Sequence, residues 1–364
     1  MFVFNLTRIL PSIPKHISCR TMVQGTRLKY PRLGEPVDVM EIEDFSTPES
    51  LKPNEVLVQM LISPINPADI NTVQGVYPIK KDLPAVPGNE GVGKVIKIGS
   101  EVSSLSVNDH VLPSRAALGL WCTHLVEPEE DWVKIPSDLP LEHAATLAVN
   151  PCTAYRMLED FVELEPEKDW IIQNGSNSAV GQAVIQLAKL KGVHTINIIR
   201  NRPYLEEMKS HLQTLGADMV VTEEEARSLD LRSLGIPAPK LSFNCVAGRS
   251  GLDMFRMMAK KGVLVIYGGM SKQPLSVPVG PLIFKDITVR GFWISQWNKD
   301  HCMEQRQTML EELIKLIRTG KFQHPELELY PLSEFKEALR RASFYDNSGG
   351  NEKRETKVAF DFRN

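Results

Sequence analysis

From Met1 to Gly34 the chain has no Asp or Glu, while Arg8, Lys15, Arg20, Arg27, Lys29 and Arg32 are spread among serines and threonines. An acid-free, basic, hydroxyl-rich leader is how a mitochondrial presequence reads. A secretory signal fits less well, because the apolar stretch Phe2 to Leu10 is short, Arg8 interrupts it and no small-residue cleavage site follows. The expectation is a presequence at residues 1–22, cleaved near Arg20 to Met22, and a mature protein in the mitochondrial matrix. Cysteine is scarce: Cys19, Cys122, Cys152, Cys245 and Cys302 are far apart and form no C-x-x-C pair. This argues against a disulfide framework and a cysteine-rich zinc knot, and suits a reducing compartment. No apolar run reaches the roughly 18–20 residues of a membrane span, since even Gly262 to Tyr267 is strand-sized. A surplus of positive charge is also missing: the net charge is -3, so nothing calls for nucleic acid. What is there, 42% hydrophobic and 24% charged residues over 364 positions, is a globular composition with room for more than one domain.

Two textures follow one another along the chain. The first is strand-rich. Val37 to Met40 and Glu55 to Ile62 read as strands separated by a turn at Lys52-Pro53-Asn54. Gly88 to Gly99 reads as a tight turn running into an alternating strand, and Asp109 to Pro113 as a short strand closed by proline. Ile65 to Pro78 (INPADINTVQGVYP) is neither a clean helix nor a clean strand, and reads as a stiff turn around Tyr77 in which Asn66 and Asp69 act as turn and cap residues.

From about residue 150, strands alternate with helices. Strands are expected at Trp170 to Asn174, His194 to Arg200, Met219 to Thr222, Leu241 to Val246 and Gly262 to Gly269. Helices are expected at Ala179 to Lys191, at Tyr204 to Leu215 before Gly216, and at Met309 to Arg318. This alternation predicts an α/β fold, a parallel sheet with helices on both faces. After a solvated loop at Asp346 to Arg354, a closing strand at Lys357 to Phe362 is expected to return to the first domain.

A strict G-x-G-x-x-G is absent. In its place Asn174-Gly175-Ser176-Asn177-Ser178-Ala179-Val180-Gly181 joins an apolar strand to an amphipathic helix. Gly175 allows the sharp turn, Gly181 allows close helix–strand packing, and the N–H groups of Ser176 to Ala179 face a helix N-terminus that favours anions. The plain alternative is a tight strand-to-helix turn without a ligand. Where NAD-selective folds place a carboxylate for the ribose, this chain has Arg200-Asn201-Arg202. Two guanidiniums suit a 2'-phosphate, so the expected cofactor is NADPH.

Gly88-Asn89-Glu90-Gly91-Val92-Gly93 resembles the G-H-E-x-x-G element of zinc-dependent medium-chain alcohol dehydrogenases, but Asn89 stands in place of the zinc-ligating His. No metal is expected, and Glu90 is expected to be a buried structural carboxylate. Together with INPADINTVQGVYP, Val149 to Leu158, NGSNSAVG, Ile199 to Pro203, Tyr267-Gly268-Gly269-Met270 and Gly291 to Ile294, it makes the chain resemble the zinc-free medium-chain dehydrogenase/reductases, and within them the mitochondrial trans-2-enoyl thioester reductases. The resemblance implies a GroES-like, strand-rich catalytic domain (residues 23–150 and 309–364) interrupted by a Rossmann NADP-binding domain (residues 151–308), forming a homodimer. It implies Tyr77 as the catalytic residue and Asn150 on the nicotinamide side. Ser176, Asn177, Ser178 and Ala179 match the pyrophosphate turn, and Arg200, Asn201 and Arg202 the 2'-phosphate site. Tyr267, Gly268, Gly269, Met270, Phe292, Trp293, Ile294 and Lys357 match further cofactor contacts.

The implied activity is NADPH-dependent reduction of enoyl-CoA or enoyl acyl carrier protein, the last reductive step of mitochondrial fatty acid synthesis, with Tyr77 as proton donor or enolate stabiliser. Trp293 closes an acyl pocket, supports the nicotinamide, or is an ordinary core aromatic. Arg249, Lys260, Lys261 and Lys272 are candidates for a positive mouth. The competing readings are a zinc-free NADPH quinone oxidoreductase, which needs no donor tyrosine, and a non-enzymatic NADPH-binding interaction protein.

Overall fold

A computed structural model describes residues 22–343 and 356–363. The expected presequence, except for Met22, and the loop at Asp346 to Arg354 lie outside the described residues. Two large sheets organise the rest. The first has seven strands, in the order Leu327–Pro331, Lys357–Asp361, Glu55–Pro64, Val92–Ile98, His110–Pro113 and Trp132–Ile135, with His124–Pro128 pairing off the strand Glu55–Pro64. Its pairings are antiparallel apart from the one between Leu327–Pro331 and Lys357–Asp361. The closing strand returns as expected, pairing Phe360 with Ser63 and Asp361 with Ile62. A separate ribbon pairs Gln24–Lys29 with Glu41–Ser46, where Arg27 and Lys29 both meet Glu43.

The second sheet is parallel throughout, with six strands in the order Met219–Thr222, His194–Ile199, Trp170–Asn174, Leu241–Asn244, Val263–Ile266 and Thr288–Gly291. In chain order this is 3-2-1-4-5-6, the doubly wound arrangement that binds dinucleotides where the order reverses. Helix Ala179–Leu190 starts at Ser178, whose Oγ accepts from the Gly181 N–H at 3.1 Å, and it buries Ala183, Val184, Leu187 and Ala188. Helix Leu205–Leu215 stops at Gly216, whose φ of 113° suits glycine.

Three expectations are corrected. Val37 to Met40 is not a strand: Pro36–Val39 is a single helical turn, with Pro36 in the first turn and Met40 N–H donating to its carbonyl. Proline's fixed φ suits a helix start, and four residues of apolar alternation cannot outweigh it. Ile65 to Pro78 contains a true helix, Pro67–Val73, set off by Pro67 and by Asp69, whose side chain accepts from the Asn66 N–H at 2.8 Å. The helix expected from Met309 begins at Met303. Three strands also end earlier than their apolar runs suggest: Arg200, Val246 and Gly269 have already left the sheet as loops.

The largest apolar cluster belongs to both sheets. It runs from Ile62, Val92 and Leu112 through Met157 and Leu158 to Ile171, Val184 and Phe243, and is closed by Leu310, Leu313 and Ile317 of helix Met303–Arg318. Buried Arg306 on that helix donates to the carbonyls of Pro113 (2.7 Å) and Ser114, fastening the helix to the first sheet.

Candidate active site

Four loops leaving the carboxyl edge of the parallel sheet carry residues singled out in the sequence. Gly175 to Ser178 follow Trp170–Asn174, Arg200 to Arg202 follow His194–Ile199, Tyr267 to Met270 follow Val263–Ile266, and Phe292 and Trp293 follow Thr288–Gly291. Gly175 has a left-handed φ of 61°. At Gly181 a Cβ would lie 2.5 Å from the Ser176 carbonyl oxygen, so only glycine lets the helix come this close to the turn. Ser176 is fully buried, its hydroxyl directed at the carbonyls of Gln173 and Ile198, both at 3.2 Å. Its N–H also bonds the Ile198 carbonyl, at 3.3 Å, so Ser176 ties the turn to the neighbouring strand.

Arg200 and Arg202 line one small pocket with Asn177 of the glycine turn, while Asn201 is exposed beside them. The two guanidiniums thus adjoin the anion-favouring turn, and Arg202 donates to the Tyr204 hydroxyl at 3.2 Å. Met270 N–H is bonded to the carbonyl of Cys245, and Phe292 N–H to that of Ile266, which fixes both further segments on the sheet. Gly269 has no atom within 4 Å of where a Cβ would stand. Ile294 is buried as the first residue of its helix.

Tyr77 comes from the other side. The chain leaves helix Pro67–Val73 through Gly75 at φ 78° and presents the half-buried phenol ring edge-on to Trp293, with centroids 5.8 Å apart and planes at 89°. Trp293 thereby joins the tyrosine loop to the parallel sheet. Its buried Nε1 has no hydrogen-bond partner among the described residues. Burial raises the Tyr77 phenol above its ordinary 10.0, the nearness of the Trp293 side chain opposes this without a formed hydrogen bond, and the Asp69 carboxylate raises it further. The group is a phenol, not a phenolate, at neutral pH.

Beneath the loop lies a buried polar frame. Asp69, fully buried, accepts from Asn66 N, Asn89 N (2.9 Å) and Asn89 Nδ2 (2.6 Å). Glu90, also fully buried, accepts from Asn66 Nδ2 and from the Val149 N–H, both at 2.8 Å. Lys357 donates to Asn66 Oδ1 at 2.7 Å and to the Ile65 carbonyl at 3.2 Å. Burial pushes Asp69 up to about 6 and Glu90 up to about 7, while the donors and Lys357 hold both down. Burial likewise lowers Lys357, opposed by the two carboxylates. Asn150 opens helix Asn150–Glu159 next to Val149, and its buried Nδ2 has no hydrogen-bond partner among the described residues.

The side chain of Asn89 is committed at both ends, its Oδ1 accepting from Ala117 N at 2.8 Å. Among the described residues no three His, Cys, Asp or Glu side chains gather as metal donors. Of the basic residues considered for a positive mouth, Arg249 faces Asp253 at 3.7 Å.

Two family models match this chain: the alcohol dehydrogenase GroES-like domain over residues 52–137 and the zinc-binding dehydrogenase over residues 179–316. The mitochondrial enoyl-[acyl-carrier-protein] reductase of Xenopus tropicalis is 48% identical over 318 residues, covering 86% of this chain and 90% of its own. This chain belongs to the mitochondrial enoyl-[acyl-carrier-protein] reductase family. It is a medium-chain dehydrogenase/reductase fold with a GroES-like catalytic part and a Rossmann part. Among solved structures, the mitochondrial 2-enoyl thioester reductase Etr1p/Etr2p heterodimer of Candida tropicalis aligns with TM-score 0.83 at 36% identity, and the Etr1p complex with NADP and crotonyl-CoA with TM-score 0.84 at 35%. Both alignments cover 93% of this chain and 100% of the other.

Seen as a member of that reductase family, the chain also uses residues that sequence reasoning passed over. Asn174 and Asn244, on neighbouring strands, interlock at 2.9 Å and accept from the N–H groups of Cys245, Val246 and Ala247, shaping the loop opposite the glycine turn. Ala247 is held at φ 64°, ψ -154°, a conformation normally left to glycine. Two asparagines at strand ends are the only signal for this clamp in the sequence. Replacing Gly181 by Ala should force the glycine turn off the helix and destabilise the reductase by roughly 1–3 kcal/mol. Denaturant unfolding checks this, and wild-type stability would refute the packing argument.

Proposed function

We propose that this chain reduces the 2,3-trans double bond of enoyl thioesters, carried on CoA or acyl carrier protein, with NADPH in the mitochondrion. This would be the last reductive step of mitochondrial fatty acid synthesis. The observation that carries the reading is the Tyr77 phenol, held edge-on against Trp293 where the tyrosine loop faces the carboxyl edge of the parallel sheet. Family membership supports it: the relatives are named mitochondrial enoyl-[acyl-carrier-protein] reductases, and the related Etr1p structure contains NADP and crotonyl-CoA.

The residues suit the cofactor. Ser176, Asn177, Ser178 and Ala179 form the turn that takes the pyrophosphate at the helix N-terminus, while Arg200, Asn201 and Arg202 take the 2'-phosphate. Tyr267 to Met270, Phe292 to Ile294 and Lys357 line the remainder, and Asn150, with an amide N–H available, meets the nicotinamide side. When bound, NADPH supplies the hydride that goes to the β-carbon of the enoyl group. Tyr77 holds a proton at its hydroxyl; it donates that hydrogen to the thioester oxygen as negative charge gathers there, or passes it to the α-carbon. The catalytic domain comprises residues 23–150 and 309–364, and the NADP-binding domain residues 151–308.

Assembly as a homodimer is supported by an exposed apolar ridge. Val279, Ile283 and Phe284 are 66%, 65% and 79% exposed on helix Val279–Lys285, next to the outermost strand of the parallel sheet, Thr288–Gly291. A second copy of the same ridge and edge would cover both. Phe284→Glu should convert the dimer to monomer in analytical ultracentrifugation; a variant that still sediments as a dimer removes the ridge from the interface.

Wild-type protein should oxidise NADPH with trans-2-hexenoyl-CoA; oxidation with a quinone alone would refute the reading in favour of a quinone oxidoreductase. Tyr77→Phe should lower kcat roughly a hundredfold or more while NADPH affinity stays near wild type. Because the protonated phenol is the working form and burial raises its pKa, activity that depends on Tyr77 should fall only as pH rises beyond about 10. A basic limb well below that, abolished by Tyr77→Phe, would contradict the assignment. Arg200→Ala/Arg202→Ala should raise the KM for NADPH on the order of tenfold or more and leave that for NADH almost unchanged. Equal changes would sink the 2'-phosphate site.

A further inference from the structure

Glu90 touches two segments far from it in sequence. One carboxylate oxygen takes the Val149 N–H and the other takes Asn66 Nδ2, whose partner oxygen Oδ1 takes the Lys357 ammonium. The direction of this chain of bonds is forced. An ammonium only donates, so Asn66 must turn Oδ1 to Lys357 and its NH2 to Glu90, and Glu90 must accept on both sides. At the two ends stand Lys357 and Asn150. The buried Asn150 Nδ2 has no hydrogen-bond partner among the described residues, and the backbone leading into Asn150 is held at the Val149 N–H by Glu90.

We propose that Glu90 is a positioning residue for the cofactor's nicotinamide half: its carboxylate holds the Ala148–Val149 peptide, which leads into Asn150, and, through Asn66, the Lys357 ammonium. This rests on the reading of Asn150 and Lys357 as cofactor contacts. Glu90 touches no substrate atom itself; it acts by being an acceptor twice in a place where both neighbours can only donate.

The test is an exchange of polarity. In Glu90→Gln, the new NH2 faces either the Val149 N–H or the Asn66 NH2, and Asn66 cannot flip to relieve this without turning its own NH2 on Lys357. In Asn66→Asp/Glu90→Gln, the carboxylate introduced at position 66 would accept from both Lys357 and the glutamine NH2. The glutamine oxygen would accept from Val149, and the net charge is unchanged. Aspartate is also a good residue at this helix start. Calorimetry on the full chain with two ligands reads the outcome: NADPH, and adenosine 2',5'-bisphosphate, which lacks the nicotinamide half.

Glu90→Gln should weaken NADPH on the order of tenfold, the scale of one buried donor left unpaired, with bisphosphate affinity unchanged. The double variant should return NADPH to within about threefold of wild type, since every bond is again matched. The inference is overturned by a folded Glu90→Gln protein with wild-type NADPH affinity, by equal weakening of both ligands, or by a double variant no better than the single one. Should Glu90→Gln not fold, the double variant decides: folding with near wild-type NADPH affinity supports the inference, and misfolding or weak binding overturns it. A wild-type protein that binds the bisphosphate as tightly as NADPH overturns the underlying cofactor reading instead, and is recognised before any variant is compared.

Discussion

Two carboxylates without solvent exposure, Asp69 and Glu90, share a single ammonium, that of Lys357, and the catalytic half is arranged around making this tolerable. An isolated buried charge costs several kcal/mol even after relaxation. Here the cost is offset by five N–H donors: the Asn66 peptide and side chain, the Asn89 peptide and side chain, and the Val149 peptide. Those donors come from three separate stretches of chain, so satisfying the charges fixes the stretches to one another. The helix Pro67–Val73 is held at its start by this cluster, and the Tyr77 loop is what that helix leads into.

A second constraint meets the first across the cleft. In a parallel sheet the chain exits every strand on the same edge, and the helices that follow turn their unpaired N–H groups toward that edge. The helix N-terminus at Gly175 to Ala179 faces that edge by topology once the turn is tight enough, Gly181 makes it so, and Arg200 and Arg202 adjoin it. The two halves cannot drift freely, because one apolar cluster spans both sheets and Arg306 pins the long helix to the end of the strand His110–Pro113. Tyr77 and Trp293, one from each half, therefore meet edge to face as a consequence of packing elsewhere.

How much of this could be read from the chain follows from distance along it. The glycine turn, the arginine pair and the proline-bracketed tyrosine are local patterns, and the structure brings Asn177, Arg200 and Arg202 to one pocket as the spacing implied. The parallel sheet was legible because each strand and helix repeats its own period. Short pieces were not: Pro36–Val39 has too few residues for a period, and a proline decided it. The helix Pro67–Val73 was hidden by the proline at its start and the glycine past its end, the residues that delimit it. Glu90 was correctly expected to be buried and hydrogen-bonded, yet its partner Val149 is 59 residues away and Lys357 lies 291 residues from Asn66. Nothing local encodes such pairings.

Asn89 shows how the two kinds of information join. The sequence marks it as the place where zinc-dependent relatives carry an imidazole, which says what the residue is not. The structure shows its use: the amide donates to Asp69 and accepts from Ala117, so the position has become part of the frame under the tyrosine helix. A side chain given over to metal would not be free for both bonds, and Asp69, fully buried, would lose its shortest donor. The same substitution that removes a metal ligand therefore helps to stabilise a buried carboxylate, and that carboxylate caps the helix leading to the phenol. The placing of the Tyr77 phenol and the asparagine at position 89 are on this account one structural adaptation.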